Sequence, residues 1–304
     1  MSDDHRRQIT LAHSPDPDDA FMWWPLVGLD GQGPAIDTGP FDFTLVTDDI
    51  ESLNEKAESE TYDITAISIA QYPKVKSAYA LTGCGASVGD GYGPKLVASA
   101  PMTVSALQET NPVIAVPGER TTALLTSRLM IGPEMRWQAM PFDTIEDAVR
   151  AGEVGAGVVI HEGQLTCTDH GLHVIADLGS WWQQTRGLLL PLGGNAIRRA
   201  LDTKWGAGTL SSISRVLHAS IAHALESRAD SLQWAMQFGR GIDLNQADAF
   251  VAMYVNRWTL EIGLEGAQAV RQLLEEAHAA GLVDDPGMVE FVRPTDAVTQ
   301  GVDG

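Results

Sequence analysis

His161 stands directly after Ala156–Ile160, a short run that is apolar throughout. Such a run reads as a strand buried on both faces of a parallel sheet. The residue after it emerges at the strand's carboxyl end, where open α/β proteins bind ligands. Imidazole titrates near neutral pH, so His161 suits general acid–base chemistry. The position equally suits a histidine that ends the strand and bonds a backbone carbonyl. Pro117-Gly118-Glu119-Arg120-Thr121-Thr122-Ala123 forms a second strand–turn–helix junction. Free N–H groups at its helix start can hold a carboxylate or phosphate without a formal positive charge. N-capping by Thr121 accounts for the same residues. Ser68 ends a third strand and begins a helix. No Gly-x-Ser-x-Gly elbow surrounds it, and Ile67 and Ile69 are large, so a serine hydrolase is poorly supported.

A fourth junction is Ser14-Pro15-Asp16-Pro17-Asp18-Asp19-Ala20-Phe21. Pro15 and Pro17 fix φ on either side of Asp16. Asp18 or Asp19 is placed to cap a helix beginning at Phe21. Gly83–Pro94 is glycine-rich but runs into a strand, which argues for a close-approach loop at a crevice wall and against a dinucleotide cradle. Trp181 and Trp182, followed by Gln183, Gln184 and Arg186, either wall an aromatic pocket or pack as a helix end. His161, His170 and His173 lack helical i,i+4 spacing and neighbouring cysteines, so no metal site is expected.

The elements that must position these residues alternate. Strands are expected at Ile9–Ala12, Phe41–Val46, Tyr62–Ile67, Lys95–Ala98, Val113–Val116, Ala156–Ile160 and Val174–Ala176. Helices are expected at Phe21–Val27, Ile50–Glu58, Ala70–Val75, from Thr121-Thr122 to about Met130, and at Thr144–Ala151. This order predicts an α/β fold with a mostly parallel sheet. Beyond about Arg199 the chain reads as helix: Leu210–Ser227, Ala229–Phe238, Gln246–Trp258 and Glu265–Ala280. The tail after Gly281 shows no periodicity and is expected to wrap the surface or fray.

The 304 residues carry 20 Lys and Arg against 40 Asp and Glu, a formal net charge of -20. That charge argues against nucleic-acid binding, which depends on basic residues neutralising phosphates. An anionic small-molecule substrate needs a local exception such as a helix N-terminus or a placed Arg. The two cysteines, Cys84 and Cys167, form no disulfide framework and read as buried thiols. No signal-peptide pattern or membrane-length apolar run is present, so a cytoplasmic chain is expected. A homodimer is compatible with this composition.

In this order, Ser14–Phe21, Asp63–Ser68, Gly89–Pro94, Val116–Ala123, Val159–Glu162, Leu178–Trp182, Gly187–Gly193 and Tyr254–Asn256 resemble the 1,4-dihydroxy-6-naphthoate synthase family. This family, usually called MqnD, belongs to the futalosine route to menaquinone. The resemblance implies a two-lobed fold like that of type II periplasmic binding proteins, with the ligand in the cleft. Residues 1–102 and 193–304 would form the larger lobe and 103–192 the smaller, with crossings near Ala100–Val104 and Pro191–Gly193. It implies cleavage of cyclic dehypoxanthine futalosine to the naphthoate and a three-carbon fragment, with no cofactor. His161 matches the general base, and Ser68, Thr122 and Ala123 match ligand contacts. Thr121, Pro15 and Asp16 are expected to bind substrate with them. The family commonly has Cys, Asn and Thr where this chain has Asp16, Asp18 and Ala20, and Lys at Ala66. Arg186 stands where a threonine is common, and could replace the missing cleft lysine from the other lobe. A binding protein of the same fold, carrying a small aromatic or carboxylate ligand, is the alternative. A chorismate dehydratase fits less well, because the Ser-Pro-x-Pro opening belongs to the naphthoate branch.

Overall fold

The computed structural model describes residues 6–238 and 243–294. Twelve strands among them are β1 Arg7–His13, β2 Phe41–Thr47, β3 Ile64–Ser68, β4 Tyr79–Thr82, β5 Ser87–Gly89, β6 Lys95–Ala98, β7 Ile114–Val116, β8 Trp137–Ala139, β9 Ala156–Val159, β10 His173–Asp177, β11 Leu190–Arg198 and β12 Phe291–Val292. They form two sheets. The first runs β12-β4-β11-β3-β1-β2, with β5 paired to β11, and the second runs β10-β6-β9-β7-β8. The two sheets with their helices give the two-lobed α/β architecture.

The sheets are mixed, where a mostly parallel one was expected. β1 runs parallel to β2 and β3, and β7 runs parallel to β8 and β9. β11 is antiparallel to β3, β4 and β5, and β6 is antiparallel to β9 and β10. The antiparallel strands are those at which the chain passes between sheets. It leaves the first sheet through β5 and has joined the second by Lys95, because β6 pairs with β9. The expected crossing at Ala100–Val104 therefore falls after a strand of the second sheet. The return runs through β11, whose Leu190–Gly193 segment pairs with β5 before Gly193 meets Ser68. The expected second crossing at Pro191–Gly193 coincides with that pair.

Burial explains why these elements hold. The helix Thr209–Glu226 presents Leu210, Ile213, Leu217, Ile221 and Ala224, a stripe of helical period, to Ile9, Leu11, Phe21 and Phe41 of the first lobe. Each large apolar side chain withdrawn from water contributes roughly 1.5–3 kcal/mol. Val97, Ala115 and Val159 of the second sheet pack on Ile145 and Val149 of the helix Ile145–Ala151. Cys84 and Cys167 are free and buried, and burial alone pushes the Cys84 thiol up to about 12.

Three local readings differ. The first helix spans Pro17–Trp23 and starts before Phe21, because proline is well suited to the first helical position. Asp18 and Asp19 thus lie in its first turn and cap nothing further on. Beyond Gly281 the chain adds β12 to the first sheet beside β4, so residues 291–292 neither fray nor simply wrap the surface. The rest of the tail beyond residue 294 lies outside the described residues. The expected long helix Gln246–Trp258 is two, Leu244–Tyr254 and Arg257–Leu260, the second opened by an Asn256 capping box.

Candidate active site

The carboxyl ends of β1, β3, β7 and β9 all face one cavity of about 110 Å³ between the lobes. After β1 comes the acidic turn, after β3 Ser68, after β7 the Thr121–Ala123 helix start, and after β9 Ile160. Leu192, Gly193, Gly194 and Asn195 of β11 form the wall between the lobes. Phe250 and Tyr254 close it from the C-terminal helices.

The helix Thr122–Ile131 starts at the cavity. Thr121 is its N-cap, its hydroxyl accepting the Leu124 N–H at 3.2 Å and donating to the Gly118 carbonyl at 2.9 Å. The N–H groups of Thr122 and Ala123 precede any intrahelical acceptor, so they remain available to an anion. The Thr122 hydroxyl is committed elsewhere. It donates to the Leu192 carbonyl and accepts the Ala70 N–H. Ser68 does not cap the turn that follows it. Its backbone N–H donates to Asn54 Oδ1 at 2.8 Å, and its Oγ accepts from Asn54 Nδ2 at 3.0 Å. Fully buried Asn54 thereby fixes the Ser68 side chain and leaves its O–H as a donor.

The acidic turn is wound on itself. The Ser14 N–H donates to Asp19 Oδ2 at 2.9 Å, and the Ser14 hydroxyl donates to Asp16 Oδ2 at 3.3 Å. Asp16, Asp18 and Asp19 line the cavity, whereas half-buried Pro15 does not. Burial, then the charges of Asp19 and Asp16, raise the Asp18 carboxyl well above the usual carboxylate range. Burial raises Asp19 as well, with His13 opposing the rise. His13 is itself lowered by burial, and its Nδ1 donates to the Ser14 carbonyl at 2.7 Å.

His161 follows cavity-lining Ile160 but is not itself in the lining. Its ring stands edge-on to Phe142, with centroids 5.3 Å apart. Nδ1 accepts the Gly163 N–H at 3.0 Å and lies 3.8 Å from Glu162 Oε2. Nε2 and Glu162 Oε2 are buried with no hydrogen-bond partner. Gly163 permits this packing, because a Cβ there would lie 2.3 Å from Glu146 Oε1 and 2.6 Å from His161 Cε1.

Arg186 is not brought to the cavity. It ends the helix Leu178–Arg186, pairs with Glu276 at 3.0 Å and lies over the Trp181 and Trp182 rings. With its charge held by Glu276, it does not replace a cleft lysine. Trp181 and Trp182 serve this helix end rather than a pocket.

Three further residues shape the cavity or its rim. Asn195 is buried in the cavity wall, its Nδ2 donating to the Gly85 carbonyl at 2.8 Å while Oδ1 has no partner. The Tyr254 hydroxyl donates to Gln164 Oε1 at 2.9 Å, joining the C-terminal helices to the segment after β9. Arg120 binds Glu51 and Glu58 of the helix Ile50–Glu58, both at 2.9 Å, and ties the lobes beside the cleft. None carries a local signal except Arg120, whose place in the junction already pointed to the cleft. Among the described residues, no group of three or more His, Cys, Asp or Glu could hold a metal ion.

Residues 9–279 match the family described as Menaquinone biosynthesis. The chain is 35% identical over 281 residues to the 1,4-dihydroxy-6-naphtoate synthase of Streptomyces coelicolor, covering 90% of this chain and 94% of that protein. It is 34% identical over 278 residues to the protein of the same name from Thermus thermophilus, covering 90% and 95%. A solved structure from Archaeoglobus fulgidus shares 40% identity at a TM-score of 0.82, covering 92% of this chain and all of that one. An alkanesulfonate-binding protein from Xanthomonas axonopodis pv. citri, bound to MOPS, shares the fold at 13% identity and a TM-score of 0.66, covering 93% and 96%. The two-sheet fold, the cleft and the match over residues 9–279 together place this chain in the menaquinone-biosynthesis family.

Proposed function

We propose that this chain is a 1,4-dihydroxy-6-naphthoate synthase, splitting cyclic dehypoxanthine futalosine into the naphthoate and a three-carbon fragment. The observation that carries this reading is the helix start at Thr122 and Ala123, which opens onto the cavity opposite Ser68. Two backbone N–H groups and a serine O–H can hold a carboxylate where no Lys, Arg or His among the described residues lines the cavity. The raised Asp18 carboxyl lessens the negative charge facing such a substrate. Asn195 Oδ1, a buried acceptor without a partner, suits a substrate hydroxyl.

His161 serves as the base in this reading. It takes a proton from the sugar part of the substrate, the electron pair stays on the substrate, and carbon–carbon cleavage leaves a ring that aromatises. Closure of the lobes excludes water. The ring must turn toward the cavity to act, and Ile160 places it one residue away. The reaction as read calls on no metal or organic cofactor. No helix of the described residues is long and apolar enough to cross a membrane, and a cytoplasmic enzyme, as monomer or homodimer, accords with the reading. Incubating the purified protein with cyclic dehypoxanthine futalosine should yield the naphthoate, identified by mass spectrometry. Saturable binding of the substrate without product would instead favour a binding protein.

A further inference from the structure

The hydrogen bond at His161 Nδ1 conflicts with the work of a base. A nitrogen that accepts the Gly163 N–H carries no proton, so the neutral ring bears its proton on Nε2. With that proton in place, Nε2 is a donor and has no lone pair to offer. Nε2 becomes a base only when the proton sits on Nδ1, which then needs an acceptor. One stands nearby. Glu162 Oε2, buried and without a hydrogen-bond partner, lies 3.8 Å from Nδ1. Glu146, from the helix Ile145–Ala151, is the other carboxylate against this segment; its Oε2 pairs with His170 Nδ1 at 2.8 Å and its Oε1 faces Gly163, whereas only Glu162 forms a contact with His161 Nδ1 itself.

We propose that Glu162 is the positioning residue for His161. A small ring movement exchanges the Gly163 N–H for Glu162 Oε2 as the partner of Nδ1, and the proton is then held on Nδ1. Nε2 gains its lone pair and accepts the substrate proton, so that one N–H bond forms as one substrate bond to hydrogen breaks. The resulting imidazolium keeps its Nδ1–H on the Glu162 carboxylate, and the positive charge is balanced within a water-poor site. Two orphaned buried atoms, His161 Nε2 and Glu162 Oε2, thereby find their uses in one step. The inference rests on His161 being the base of the proposed reaction, but the ring–carboxylate bond can be tested without substrate.

The experiment combines NMR with kinetics on the full chain. In the wild-type protein, acidification until His161 is protonated should reveal a low-field ring Nδ1–H resonance. The resonance should be absent from Glu162→Gln and assigned by its loss in His161→Gln. Absence from the wild-type protein, or persistence in Glu162→Gln, overturns the proposal. This arm stands even if the wild-type protein fails to turn over cyclic dehypoxanthine futalosine, an outcome that would sink only the proposed reaction. Where turnover is present, Glu162→Gln should lower kcat by about 100-fold or more with KM nearly unchanged; the corresponding change in a serine-protease triad costs about 10⁴-fold. A kcat within threefold of wild type, with an unchanged thermal midpoint, also overturns it.

Discussion

The Thr122 hydroxyl donates to the Leu192 carbonyl at 2.6 Å. The same oxygen accepts the Ala70 N–H at 3.1 Å, so one side chain of the second lobe binds two backbone sites across the cleft. The Thr122 side chain thus holds the lobes together, and under the proposed function only its backbone N–H is left for a substrate. Thr122→Val keeps the shape and removes both bonds. It should cost about 1–3 kcal/mol, the penalty of leaving buried polar groups unpaired. Denaturant unfolding checks this, and a loss below the error of the method would contradict it.

Arg186→Ala should leave the affinity for an aromatic carboxylate unchanged, measured by calorimetry. Its guanidinium is held by Glu276 and the two tryptophans, outside the cavity. The pair is partly exposed, so stability should fall by only about 0.5–1 kcal/mol. A tenfold loss of affinity would return Arg186 to the cleft.

The Asp18 carboxyl gives a pH-dependent prediction. Its folded value is raised, by burial first and then by Asp19 and Asp16. The folded state therefore holds the proton more tightly than the unfolded chain. This contribution to stability is full below the unfolded value, near pH 3.9, and is lost as pH rises through the raised folded value. At pH 7 the ionising group is a net cost that asparagine does not carry. Asp18→Asn should raise the thermal midpoint at pH 7 by about 2 °C or more, with the gain shrinking toward pH 4. An equal gain at both pH values would contradict the assignment.

Gly163→Ala tests the packing of His161. The new Cβ would meet Glu146 Oε1 and His161 Cε1 well inside contact distance. Displacing a reacting group by about 1 Å can cost on the order of 100-fold in rate. We expect kcat to fall at least tenfold while ligand affinity, which the proposed function assigns to Thr122 and Ser68, is kept. Unchanged kcat would show that the ring has room the structure does not give it.

Much of the cavity lining was legible because it lies at strand ends. The apolar runs before Ser68, Thr121 and His161 mark strands, and Ser68 and Thr121 line the cavity at their ends, whereas after the third it is Ile160 that lines it and His161 stands behind. The residues that escaped notice reach the cavity only through tertiary folding. Asn195 sits within β11, whose pairing with β3 and β5 cannot be read from its own residues. Tyr254 comes from a helix whose period looks like any other core stripe. Arg186 misled for the converse reason: a lone Arg near a cleft segment says nothing of Glu276, 90 residues further on.

We propose that this cleft converts cyclic dehypoxanthine futalosine with His161 as base. The most direct test follows naphthoate formation by the wild-type protein and His161→Gln side by side, with ligand binding measured in both. We expect product from the wild-type protein, at least 100-fold less from the variant, and comparable binding in the two. No product from the wild-type protein, or full activity in the variant, would contradict it.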